Sequence, residues 1–216
     1  MVLPTAGETG WATKLNDHIN GLPQPGHNHP AGAQQFRSGL YYGPWRTHGG
    51  IYDTFALVAG TLYANPLYVG EETVFNQIVI TLTNAGSAGS VVRLGIYKSE
   101  RLVPTTLIVD GGAVSSATSG VKSVTINTTL SPGLYWVVAV TDSTVSQCRA
   151  VTAAIQDHFL KFGQSVNDWY DGNVSDCWRM TGYVAANPLP ATASLTGLAA
   201  GSGVGRDAVN INVRAA

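Results

Sequence analysis

From Phe75 to Val140 the apolar residues keep a period of two through one segment after another: NQIVITLTN, GSVVRLGIYKS, PTTLIVDGG, VKSVTINTTL and PGLYWVVAV. Successive side chains of an extended chain point to opposite faces. The alternation therefore places Ile78, Ile80, Leu82, Val92, Leu94, Ile96, Val124 and Ile126 on one buried face, with Thr, Ser, Lys and Gln on the other. Between the segments stand turn residues, Asn-Ala-Gly, Asp-Gly-Gly and Ser-Pro-Gly, and no helix-forming stretch. Short strands at roughly ten-residue spacing predict an all-β fold, an antiparallel sandwich or barrel. Such a body more often carries a surface than an active site, so recognition or assembly is the first expectation.

Charge narrows the function classes. Only 12% of the 216 residues are charged, against about 25% in an ordinary globular domain. A surface so poor in charge predicts a subunit covered by copies of itself or by neighbours in a larger assembly. A secreted, protease-resistant monomer is the alternative. The net charge of −1, with both signs scattered, gives no basic stripe, so nucleic acid is not an expected partner. Apolar runs such as LYWVVAV fall far short of the ~20 residues of a membrane helix. MVLPTAGETG lacks the basic start and apolar run of an export signal, so the protein is expected to stay in the cytosol or leave it by lysis. For the same reason Cys148 and Cys177, which could close a loop, are expected to remain reduced.

Residues 1–36 break the β pattern. In GETGWATKLNDHINGL, Thr9 is a plausible N-cap ahead of Trp11, Leu15, Ile19 and Leu22, and Gly21 and Pro23 end the stripe. This predicts a helix of about three turns, whose single apolar face must pack on the β body or on another chain. PQPGHNHPAGAQQ is too rich in Pro and Gly for regular structure and reads as an extended linker. Residues 37–216 form the expected sandwich domain. Its first strands, in TFALVAGTLYANPLYV, are expected to be interrupted at Gly60 and at Asn65-Pro66. DAVNINVRAA reads as the closing strand through Val209, Ile211 and Val213, and PLPATASLTGLAAGSGVG as a long surface connection.

Several phrases together resemble the C-terminal domains of bacteriophage minor tail and tail-fibre proteins. They are Pro4 to Asn16 (PTAGETGWATKLN), GTLYANPLYV, GSVVRLGIYKS, LIVDGGAVS and LSPGLYWVVAV. The resemblance implies a β-sandwich of jelly-roll type, usually trimeric, displayed on a virion for host attachment, with residues 1–36 as the anchor and no catalytic motif. A purely structural decoration or head-fibre and connector protein is the alternative it leaves open. Its partners would be its own copies, other virion proteins and a host glycan.

Candidate contacts follow from residue chemistry. Asn167, Asp168, Asp171, Asn173 and Asp176 surround a Gly turn beside Trp169, Tyr170 and Trp178. Oxygen-rich loops bind calcium, here near Asp168, Asp171 and Asp176, and aromatics among Asp and Asn side chains stack on sugars. Trp169, Tyr170, Asp171, Asn173 and Trp178, with Trp45 of GPWRTHGG, are therefore the receptor-contact candidates. An Asx-rich turn with Trp178 folded into the core explains the same residues without a ligand. Trp136 reads as core. Alternation turns Arg93 away from Val92 and Leu94, either toward a receptor carboxylate or toward a partner on a neighbouring strand or subunit.

His27 and His29 in GHNHP point to one side of an extended chain. Three such pairs on a trimer axis would give an octahedral metal site suited to iron or nickel, while a flexible His-Pro linker gives the same spacing without metal. Paired carboxylates, a Gly-x-Ser-x-Gly elbow and a Ser, His and Asp constellation are all missing as motifs. Catalysis is therefore not expected.

Overall fold

The computed structural model describes residues 36–43, 51–152, 177–200 and 208–216, all within one compact unit, Gln34–Ala216. Apart from Phe36, the expected N-terminal helix and linker lie outside the described residues. What is described is all β: two antiparallel sheets, of seven and six strands, facing each other as a sandwich.

The first sheet is organised around the long strand β4 (Thr73–Asn84). One edge of β4 pairs with β7 (Gly120–Leu130), from Thr73 opposite Leu130 to Leu82 opposite Gly120. Two strands share its other edge: β13 (Ile211–Ala215) takes Phe75 to Ile80, and β9 (Gln147–Thr152) takes Leu82 and Asn84. β1 (Tyr41–Tyr42) lies outside β13, while β2 (Ile51–Ala56) and β12 (Ala208–Val209) both pair with β9. The expected closing strand is thus real but divided at Asn210, its first part joining β9 and its second β4.

The second sheet runs in the order β11 (Ala199–Ala200), β10 (Trp178–Thr181), β3 (Thr61–Val69), β8 (Gly133–Thr141), β5 (Val91–Glu100), β6 (Val103–Ser115). All eight residues assigned to the buried face by alternation, from Ile78 to Ile126, fall in the single core between the sheets. Each such side chain contributes about 1.5–3 kcal/mol on removal from water. Asn65 crosses this core as well, its amide donating to the Val209 carbonyl and tying the second sheet to β12.

Two punctuation marks in the sequence act differently from expectation. Asn65-Pro66 does not interrupt β3, where Pro66 pairs opposite Trp136. Among the described residues β10 pairs with β3 as far as Ala64, and at Pro66 the pairing is with β8 alone, so the proline forfeits no ladder hydrogen bond to a described strand. Asp110-Gly111-Gly112 does not end a strand either. Leu94 faces Gly112 and Gly95 faces Asp110, so Gly111 is the extra residue of a bulge inside β6. A Cβ on Gly111 would lie 2.6 Å from a methyl of Val124, and Gly112 has φ +90°.

A third difference concerns residues 182–198. As far as residue 198, the expected long surface connection, 188–205, joins with 182–187 in a strap over the outer face of the second sheet. There Leu62, Ala64, Tyr97, Trp136, Val138 and Met180 form a second buried cluster, capped by Tyr183, Ala185, Leu189 and Ala193 of the strap. Trp136 is core as expected, but in this outer layer. The strap also closes the edge of β6: Leu107 N donates to the Ala191 carbonyl (2.8 Å) and Ala193 N to that of Thr105 (2.7 Å). A covered edge cannot template pairing with another chain.

Burial makes the fold sensitive to alkali. No disulfide joins Cys148 and Cys177, and both thiols are buried. Removal from water pushes the Cys148 thiol up to about 12 and raises the Tyr97 and Tyr183 phenols. The folded state thus holds protons that the unfolded chain releases first. The resulting stability is complete below the ordinary thiol range near 9 and is lost as pH rises toward 12. Urea midpoints should be level from pH 7 to 8.5 and fall steadily above 9, less steeply in Cys148→Val; an unchanged midpoint at pH 11 would contradict the assignment.

Candidate functional site

Of the receptor-contact candidates, only Trp178 lies among the described residues. Trp45, Trp169, Tyr170, Asp171 and Asn173 lie outside them. So do Asp168 and Asp176, His27 and His29, and the anchoring stripe Trp11, Leu15, Ile19 and Leu22. No group of three or more His, Cys, Asp or Glu side chains able to hold a metal occurs among the described residues.

Trp178 opens β10, half-buried against the outer cluster of the second sheet. Its indole N–H donates to the Leu102 carbonyl at 2.7 Å. That bond supports the tight turn joining β5 to β6, where Arg101 (φ 50°) and Leu102 (φ 63°) both adopt left-handed backbone. Two-residue hairpin turns favour this conformation, but residues with a Cβ hold it at about 1–2 kcal/mol each, which is why Asn-Gly is the common choice. Both side chains are exposed, Leu102 at 45%.

Arg93 settles into the second of its two readings, pairing with the neighbouring strand. Its Nη1 donates to both oxygens of Asp110 on β6, at 2.9 and 2.7 Å, with only 10% and 19% of the two side chains exposed. Nε donates to the Ala185 carbonyl (2.8 Å) and Nη2 to that of Ala186 (3.3 Å). Asp110 in turn accepts from Leu189 N and from Gly112 N, both at 3.0 Å. The ion pair is therefore a rivet that holds the strap, and Gly95 beside it leaves room for the Leu189 side chain. Charge-assisted hydrogen bonds of this kind, here from one nitrogen to both carboxylate oxygens, are stronger than neutral ones.

A polar cluster absent from the sequence reading stands on the outer face of the first sheet. Register sets Tyr41, Arg214, Gln77 and Thr125 side by side across β1, β13, β4 and β7. Asn76 joins them because the ladders of β4 with β7 and of β13 with β4 both slip there, leaving Asn76 without an opposite residue on either side. The Tyr41 hydroxyl donates to Gln77 Oε1 (3.0 Å), and Arg214 donates through Nη1 to Asn76 Oδ1 and through Nε to the Gly39 carbonyl, both at 3.3 Å. The Arg214 guanidinium also stands 5.9 Å from the centre of the Tyr41 ring. The one local signal was the pair Tyr41-Tyr42, since alternation sends one ring out when the other goes in. Tyr42 packs on the core through Phe36, and Tyr41 is 54% exposed.

No protein-family model matches this chain, and no curated protein matches it either.

Proposed function

We propose that the chain is a bacteriophage virion protein, a tail-fibre or minor-tail component that presents its β-sandwich for attachment to a host-surface glycan. One observation carries this reading. Four of the five phrases behind the resemblance, GTLYANPLYV, LSPGLYWVVAV, GSVVRLGIYKS and LIVDGGAVS, fall on β3, β8, β5 and β6, which are consecutive neighbours in the second sheet, while Pro4 to Asn16 lies outside the described residues. They form one contiguous piece of the second sheet. The charge-poor composition supports an assembled subunit in the same way.

In this reading the sandwich is of jelly-roll type and trimeric, and residues 1–36 anchor it to the particle through a helix bearing Trp11, Leu15, Ile19 and Leu22. The protein has no catalytic step, and its place is the virion, assembled in the host cytoplasm. A ligand ion, where present, sits at His27 and His29 on the trimer axis or near Asp168, Asp171 and Asp176. Each glycan contact is weak, and several engaged together gain about 10²–10⁴ in avidity.

Fluorescently labelled full-length protein should bind host bacteria saturably, and an excess should block adsorption of the intact particle. Absence of binding by folded, assembled protein overturns attachment and favours the structural decoration or connector, which the charge-poor surface fits as well. Light scattering should give a trimer mass; a monodisperse monomer contradicts both the trimer and a metal on its axis.

A further inference from the structure

We infer that the outer face of the first sheet, around Tyr41 and Arg214, is a binding site for an acidic saccharide. The inference deepens the attachment reading, and rests on it, by naming the class of glycan.

Three observations converge on this face. The first is charge. The strands that build it, β1, β13, β4 and β7, contain no Asp or Glu, and their outward-facing charge is Arg214, since Lys122 pairs opposite the core residue Ile80 and so belongs to the other face. Arg214 is half-buried among polar neighbours, so its charge is held in one place and not free to swing with solvent. The complement of such a face is an anion.

The second is the direction of the hydrogen bonds. Gln77 spends its oxygen on the Tyr41 hydroxyl, and Asn76 spends its oxygen on Arg214. Each amide is thereby left with its NH₂ group as the unspent donor, beside the remaining donors of Arg214. The face offers donors and asks for acceptors, as a carboxylate flanked by hydroxyl and ring oxygens provides. The doubled slip at Asn76 is what brings the second amide into the row, and bulges commonly re-aim side chains in this way beside functional sites.

The third is shape. Tyr41, Arg214, Gln77 and Thr125 form one row across the strands. With neighbouring strands ~4.8 Å apart the row is ~14 Å long, a length suited to a short oligosaccharide. At one end the Tyr41 ring is exposed and oriented by its own hydroxyl bond and by Arg214, a fixed apolar platform against which the C–H face of a pyranose can stack. Arg214 then receives the carboxylate through Nη2 and the second N–H of Nη1, its Nε being held by Gly39, and the two amides receive ring hydroxyls. A peptide or phosphate ligand would use the cation but leave the ring and the amide row idle.

The test is titration of the full-length protein at low salt with glucuronic acid and N-acetylneuraminic acid, beside glucose and sodium acetate, followed by calorimetry or ¹⁵N-detected shifts. At least one acidic sugar should bind ten-fold or more tightly than both glucose and acetate. Arg214→Ala and Tyr41→Ala should each weaken it ten-fold or more, and Arg214→Lys, which keeps the charge but not the fork, should fall between. Gln77→Met, of similar volume, gives a second loss should Tyr41→Ala unfold. Acetate binding as well as the acidic sugars marks a bare anion site and overturns the inference, as does affinity that Arg214→Ala leaves unchanged in folded protein, or no acidic-sugar binding at all. The two readings fail separately: host cells that bind wild type and Arg214→Ala alike remove this site but leave attachment standing, whereas sugar binding without any cell binding removes attachment but leaves the site.

Discussion

Arg93→Ala should lower the free energy of unfolding by about 3–5 kcal/mol in urea titrations, among the largest losses of any single substitution here. The size comes from what remains behind. Removing one member of a buried ion pair strands the other, and the desolvated carboxylate of Asp110 would keep only the N–H groups of Gly112 and Leu189. The carbonyls of Ala185 and Ala186 would also lose their donor, so the strap would detach from the edge it closes. Hydrogen exchange at Leu107 and Ala193 should rise together, since their amides hold the strap to β6. The paired change Arg93→Met with Asp110→Leu should recover a large part of the loss, because two apolar side chains of similar volume carry no stranded charge. A double variant no more stable than Arg93→Ala would show that Leu189 and its neighbours, and not the ion pair, hold the strap.

The period-two rows were legible because they depend only on neighbours in sequence, and every residue they assigned to the core is in it. What failed to read was punctuation whose meaning lies in a distant partner. Asp110-Gly111-Gly112 has turn composition. It becomes a bulge because Asp110 is wanted by Arg93 and because Gly111 lies against Val124 of the opposite sheet. Pro66 looks like a breaker, yet it keeps its place in the ladder opposite Trp136 of β8. Conversely, the turn at Arg101 and Leu102 carries no turn signal. Two ordinary residues are held in left-handed backbone, and the bond from Trp178 that supports them spans 76 positions. The polar row was invisible for the same reason: Gly39 and Arg214 meet across 175 positions of chain, and only the pairing of β1 with β13 makes Tyr41 and Arg214 neighbours.

Phe75→Ala tests how that row is supported from beneath. Phe75 is completely buried, and its ring meets Phe36 edge to face at 5.1 Å; Phe36 in turn meets Tyr42 in the same manner at 4.7 Å. Deleting a buried aromatic ring costs about 3–5 kcal/mol, part for lost burial and part for the cavity. Here the cavity opens under β1, a strand of two residues whose inward ring, Tyr42, is fixed through Phe36. Phe75→Ala should therefore lower the urea midpoint sharply and weaken acidic-sugar binding as well, because Tyr41 loses the strand that positions it. Arg214→Ala should show the opposite balance. Its half-buried side chain makes two hydrogen bonds on the outer face, so stability should move by about 1 kcal/mol while binding falls ten-fold. Phe75→Leu, which refills much of the cavity, should restore binding before it restores full stability, since ligand contact needs β1 in place and not the aromatic contact itself. Equal and proportionate losses of stability and binding in all three variants would mean that the row has no function separable from the fold.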